Sequence, residues 1–199
     1  MSDIEPSMFE CETGRLRLRT LQADDEALFH ALYTDPETMR FIGTPLSAEQ
    51  ASGKFLKIVR RQAEPVLDGR YLVMVEKNTR KSLGICGTGH YDQEAMRIEV
   101  GMVLTSAGRG QGFATEALAA LVDQVFEQHP MEVVYARFDA GNAAAWNLVS
   151  RLGFAPEVVA EGLEQASTNC RWSVQRSRWH ASNITNSQGI TDVQCDRLS

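Results

Sequence analysis

From Gly14 to Leu21 the chain reads GRLRLRTL, with apolar and charged residues in alternation. A period of two predicts a half-buried strand. Asp24 and Asp25 then offer N-cap oxygens to a helix over EALFHALYTD, where Ala27, Leu28, Ala31 and Leu32 fall at helical spacing and Pro36 closes the unit. Ser47 with Gln50 has the form of a capping box ahead of a second helix, ASGKFLKIVRRQAE. The stretch GRYLVMVEKNTRKSLGICGTGHYD reads as two strands around a turn at Asn78–Lys81, and MRIEVGMVLT as a further strand. From Phe113 to Gln128, Ala114, Leu118, Leu121, Val122, Val125 and Phe126 make one helical stripe. EVVYARF is a short apolar strand. NAAAWNLVSRLGF is a helix with the apolar stripe Ala144, Leu148, Val149 and Leu152, stopped by Gly153 in the C′ position, with Phe154 starting a strand, and NCRWSVQRSRW reads as the last strand.

The resulting order is strand, two helices, three antiparallel-style strands, helix, strand, helix, strands. That order predicts an α/β (α+β) domain, helices packed around one mixed sheet. The tail HASNITNSQGITDVQCDRLS has no clean periodicity and is rich in Ser, Thr and Asn. The expected organisation is one domain over residues 1–180 and a loosely attached tail over 181–199.

Composition narrows the function. The 199 residues carry a formal net charge of −6, which argues against nucleic acid as a ligand and is compatible with a cationic substrate. No stretch approaches the roughly 18 apolar residues of a membrane span, and the N-terminus has no signal-peptide core. The four cysteines, Cys11, Cys86, Cys170 and Cys195, have neither metal-site nor redox-motif spacing. The expectation is a cytoplasmic protein with reduced thiols, no metal, and no nucleic-acid or membrane partner.

The richest local signal is SAGRGQGFATEAL, where Gly108, Gly110 and Gly112 stand at alternate positions ahead of a helix. A Walker-type loop needs Gly-Lys-Ser/Thr, and here Phe113 and Ala114 follow Gly112. A dinucleotide fingerprint needs a glycine where Thr115 stands. The remaining physical reading is a diphosphate cradle. Glycines turn successive N–H groups toward one concavity, the helix start adds unpaired N–H groups and its dipole, and Arg109 adds a full charge.

RGQGFATEAL resembles the acyl-CoA-binding motif of the GNAT N-acetyltransferases, Arg/Gln-x-x-Gly-x-Gly/Ala. The match is Arg109, Gly112 and Ala114, with Gly110 as a common extra glycine. IEVGMVLT before it and NAAAWNLVSRLGF after it also resemble the family, and the opening ETGRLRLRTLQADDEALFHALYTDPETMRF resembles the branch containing ribosomal-protein-alanine acetyltransferases. The likeness covers about residues 12 to 179. It implies a GNAT-like, mostly antiparallel sheet with helices on both faces, and acetyl transfer from acetyl-CoA to an amine without a covalent enzyme intermediate.

The resemblance implies cofactor contacts from Arg109, Gly110, Gln111, Gly112, Phe113, Ala114 and Thr115. It also implies contacts from the backbone of Met102, Val103 or Leu104, among which the residues themselves do not choose, and from Asn142, which equally suits a helix cap. Ala145 stands where a Ser often touches the cofactor, and Val149 where some relatives carry a Tyr. Glu99 matches the acidic residue many relatives use as general base. Its other role would be a surface pair with Arg97. His90 is the reserve base. Cys86 and His90, four residues apart on one strand, would lie roughly 13 Å apart, too far to pair as nucleophile and base. The acceptor is a small-molecule amine or a protein N-terminus, approached by residues 24–61 and 78–95, and the protein is a monomer or homodimer. The competing function is a non-catalytic acyl-CoA-binding or sensing module.

Overall fold

The computed structural model describes residues 9–64, 69–157 and 169–179, so the predicted tail over 181–199 lies outside the described residues. The described chain forms β1 (Cys11–Glu12), β2 (Leu16–Thr20), α1 (Glu26–Tyr33), α2 (Pro36–Met39), α3 (Ala48–Gln62), β3 (Tyr71–Glu76), β4 (Ser82–Asp92), β5 (Arg97–Leu104), α4 (Phe113–Gln128), β6 (Val133–Asp139), α5 (Ala143–Arg151), β7 (Ala155–Pro156) and β8 (Asn169–Gln175). The strands form one sheet in the order β1-β2-β3-β4-β5-β6-β8-β7. Every neighbouring pair is antiparallel except β5 and β6. A parallel pair needs a long crossover, and α4 supplies it.

Alternation along the strands sorts the core into two layers. Leu16, Leu18, Leu72, Met74, Ile98 and Val100 face α4 and α5. Val73, Ile85 and Val103 face α1 and α3, where Phe29, Leu32 and Phe55 close the second layer. The central strand β3 has Leu72, Val73 and Met74 buried in succession, as expected of a strand covered on both faces. Leu121 of α4 is fully buried, and truncating such a leucine to alanine costs about 2–5 kcal/mol.

The local signals hold with several differences, among them a last strand that ends at Gln175 rather than Trp179 and an Ala114 that is only half-buried on α4. Ser47 and Gln50 do form the capping box of α3, with bonds of 3.2 and 2.9 Å. Gly153 does sit in the left-handed region, at φ +75°. Pro36, however, opens α2 at its first position, with Asp35 as the N-cap accepting from the Thr38 N–H at 2.8 Å. Asp25 does not cap α1 through its side chain. Its carboxylate takes both Arg19 nitrogens at 2.7 Å and the Gln22 N–H at 2.8 Å, in a short 3-10 turn. The buried stripe of α1 is Phe29 and Leu32, while Ala27 and Ala31 are exposed, because the large ring takes the central position. On α5 it is Ala145 rather than Ala144 that packs on the core.

Candidate active site

β5 pairs with β6 only from Arg97 to Glu99, opposite Val133 to Tyr135. Beyond that both strands continue, β5 to Leu104 and β6 to Asp139, each held along its other edge by β4 or β8. Two strands that part in this way leave a wedge lined by unpaired backbone. Buried main-chain N–H and C=O groups require partners, so such a wedge is a template for an extended ligand with amides of its own. A cavity of about 780 Å³ runs through it, lined by Gly101, Met102 and Val103 on one lip, Ala136 and Phe138 on the other, and Asn142 and Ala145 of α5. Met102, Val103 and Leu104 all lie in the unpaired stretch. The Leu104 carbonyl already accepts from Arg109 Nη2 at 3.2 Å.

The glycine loop stands at the wide end of the wedge. Gly110 and Gly112 adopt φ +76° and +79°, the left-handed region that side chains disfavour. Gly108 serves a different purpose, since a Cβ there would lie 2.7 Å from the Leu83 carbonyl oxygen. Gly112 is the N-cap of α4, so the N–H groups of Phe113, Ala114 and Thr115 lack intrahelical acceptors. The Gln111 amide ties back to the Ala107 carbonyl at 2.9 Å. Arg109 bends away from the loop onto α2, reaching Thr38 Oγ1 at 2.8 Å and Glu37 Oε1 at 3.3 Å.

A second guanidinium takes the place beside the loop. Arg15 donates to Glu116 Oε2 at 2.6 Å and to the Gln111 carbonyl at 2.9 Å, and lies over the Phe113 ring at 4.5 Å. Its Nη2 is 3.4 Å from where a Cβ on Gly112 would stand. Burial works to raise the Glu116 carboxyl, but bonds from the Thr13 hydroxyl and from Arg15 outweigh it and hold its pKa below the ordinary range. Strand alternation marks Arg15 only as a polar-face residue. Nothing local in the sequence links it to a loop almost a hundred positions away.

At the closed end of the wedge stands Glu99. It is paired opposite Tyr135, so it shares a sheet face with Arg137, two residues further along β6. Arg137 donates to one carboxylate oxygen, Oε2, from Nε at 2.9 Å and Nη2 at 2.7 Å. The hydrogen bond to Glu99 raises the Arg137 pKa above its ordinary value. Oε1 has no partner among the described residues. Arg97 is not the partner of Glu99. It pairs with Glu157 at 2.7 Å and stacks on Tyr135 at 4.4 Å, because β7 brings Glu157 to it.

Between Gly89 and Asp92, two residues of β4, His90 and Tyr91, stand against the single Ile98 of β5, which is a bulge. His90 in that bulge has φ +48°, and its Nε2 comes within 3.8 Å of Glu99 Oε2. Cys86 is fully buried, and burial pushes its thiol up to about 12, so it is a core residue without thiolate character. Asn142 caps α5, accepting the Ala145 N–H at 3.0 Å while its side chain borders the cavity. Val149 is buried in the core, and Trp146 packs edge-on against Trp172 with ring centroids 4.6 Å apart.

Residues 15–155 match the family described as acetyltransferase (GNAT) domain, and the chain belongs to that family. It is 27% identical over 155 residues to an uncharacterized N-acetyltransferase, p20, of Bacillus licheniformis, covering 77% of this chain and 86% of that one. In structure it is similar to a GCN5-related N-acetyltransferase from Brucella melitensis, with a TM-score of 0.74 and 19% identity, over 92% of this chain and 86% of that one. It is also similar to a spermidine N-acetyltransferase from Vibrio cholerae in complex with CoA and spermine, with a TM-score of 0.69 and 20% identity, over 84% of this chain and 99% of that one. Among the described residues no helix is long and apolar enough to cross a membrane.

Proposed function

We propose that the protein is an N-acetyltransferase that takes the acetyl group of acetyl-CoA to a primary amine by direct attack. The observation that carries this reading is Glu99. Its carboxylate is held through Oε2 by Arg137, leaves Oε1 unengaged among the described residues, and lines the cavity at the closed end of the wedge. Acetyl-CoA supplies an acyl carbon with a thiol leaving group acidic enough to depart as thiolate, so no protein acid is required.

The chain's residues then divide the work. The N–H groups of Gly110 to Thr115, with Arg15 beside them, hold the diphosphate. The wedge-facing backbone of Met102 to Leu104 and the Asn142 side chain hold the amides of the arm, and that backbone offers an N–H donor to the thioester oxygen. Glu99 Oε1 receives the ammonium proton, directly or through water, with His90 as a neighbouring station. The acceptor is a small molecule or a protein N-terminus, the latter as in the ribosomal-protein-alanine branch. The catalytic unit is residues 1–180 of a cytoplasmic monomer or homodimer.

Release of free thiol from acetyl-CoA against a panel of amines tests the proposal. Turnover with at least one amine, lost in Glu99→Gln, supports it. CoA binding without turnover on any amine would leave the non-catalytic acyl-CoA-binding module instead.

A further inference from the structure

We infer that the acceptor amine carries an anionic group, a carboxylate or phosphonate, recognised by Lys54 and Lys57 of α3. The inference rests on the N-acetyltransferase reading for the identity of the site and on charge geometry for the rest. Among the described residues the cavity is lined by Lys54, Lys57, Arg61, Arg70 and Arg137, with Glu99 as the one carboxylate. This excess of positive charge sits on a chain whose formal net charge is −6.

The fold accounts for only part of that excess. Arg137 is taken up by Glu99. Arg70 is 2% exposed and donates to the carbonyls of Gln62 and Glu64, closing the end of α3. Arg61 lies in the last turn of α3, where a cation suits the helix dipole. Lys54 and Lys57 lie mid-helix and are exposed, and neither has a carboxylate partner among the described residues. Lys54 Nζ lies 5.2 Å from the centre of the Tyr33 ring.

Spacings of three and four put Lys54, Lys57 and Arg61 on one helix face. Ile58, between them in sequence, is almost wholly buried and also lines the cavity. The charged row therefore runs along the rim of the site. Clustered like charges repel, so the row contributes nothing to folding that a mixed row would not contribute better. It does attract an anion, and it opposes a polycation such as a polyamine. The same rim carries Tyr33, Phe41 and Ile42, the last 51% exposed, a wall for an apolar body.

The test is calorimetric binding to the CoA-saturated protein, with phenylalanine, phenylalaninamide, 2-aminoethylphosphonate and spermidine as probes. Phenylalanine or the phosphonate is expected to bind at least about tenfold more tightly than the amide and spermidine, the scale of one charge-assisted contact. The gap should narrow as salt is raised. Phenylalanine against the phosphonate separates the two anion chemistries. Lys54→Glu with Lys57→Glu should invert the preference while leaving CoA affinity as it was. If that variant does not fold, Lys54→Gln with Lys57→Gln should abolish the gap. Equal binding of acid and amide, tighter binding of spermidine, no binding of any probe, or a gap that survives the substitutions overturns the inference. Thiol release is measured separately. An anion preference in binding with no release from any amine removes the transferase reading and leaves the anion site standing, and release from spermidine alone does the reverse.

Discussion

The two ends of the wedge differ in what they present to a ligand. At the wide end the chain offers backbone: two glycines at positive φ, the unpaired N–H groups of α4, and a stretch of β5 whose edge toward β6 has no partner. At the closed end it offers side chains drawn from several elements: Glu99 from β5, Arg137 from β6, His90 from a bulge in β4 and the lysines of α3. A backbone site tolerates changes of side chain but not of backbone conformation. A side-chain site is the reverse.

The largest test of that contrast is Glu99→Gln. The change keeps the shape and removes the proton acceptor, so kcat should fall by about 10²- to 10⁴-fold with CoA affinity intact. The loss should shrink at high pH, where more of the acceptor is already unprotonated. A fall in acceptor affinity alone would make Glu99 a recognition group, and no fall would confine it to holding Arg137.

Gly112→Val probes the other end. A β-branched residue at φ +79° is strained by about 1–2 kcal/mol, and its Cβ would meet Arg15 Nη2 at 3.4 Å. CoA affinity should fall by at least about tenfold in a folded variant, while Gly53→Ala, on the exposed side of α3 and outside the cavity, where a Cβ meets nothing within 4 Å, should leave CoA affinity nearly as it was. Equal effects at the two glycines would mean that the loop is not conformationally selective.

This contrast also separates what was legible in the sequence from what was not. The loop, α4 and β5 are contiguous, so glycine spacing and the stripe from Phe113 to Gln128 mark them directly, and the helix bounds agree with the structure. Gly108 was grouped with the other two because spacing cannot distinguish a glycine needed for φ from one needed for close approach to Leu83. Arg137 and Arg15 were invisible as site neighbours because register creates their contacts: Glu99 opposite Tyr135 sets Arg137 beside it, and the closure of β2 on α4 brings in Arg15. The net charge is compatible with a cationic substrate, whereas the local charge on the described rim of the cavity has the opposite sign.

Asn142 stands between the two kinds of site, capping α5 with Oδ1 and bordering the cavity. Asn142→Ala should cost about 1 kcal/mol of stability and also weaken CoA binding. Asp caps as well as Asn, so Asn142→Asp should hold the melting temperature and lose only the amide donor toward the ligand. If both variants bind CoA as the parent does, the cap is the whole of its role.

The smallest expected effect lies at the far end of α4 and asks whether fold stability and site chemistry titrate separately. His129 is 7% exposed, its ring 5.0 Å from Phe9, and its Nε2 has no partner among the described residues. Burial lowers its pKa below the ordinary 6.5. The folded protein therefore binds this proton less readily than the unfolded chain does. Stability from the neutral ring is complete above about pH 6.5 and is lost as pH falls through that value toward the lowered one. Between pH 7.5 and 5.5 the parent should lose more stability than His129→Leu, which has nothing to protonate there. CoA affinity over the same range should follow the same curve in both proteins, because the 16 residues of α4 put about 24 Å between His129 and the glycine loop. Parallel stability curves would show that the buried ring takes up its proton at no cost to the fold, and diverging affinity curves would show that the two ends of α4 are coupled.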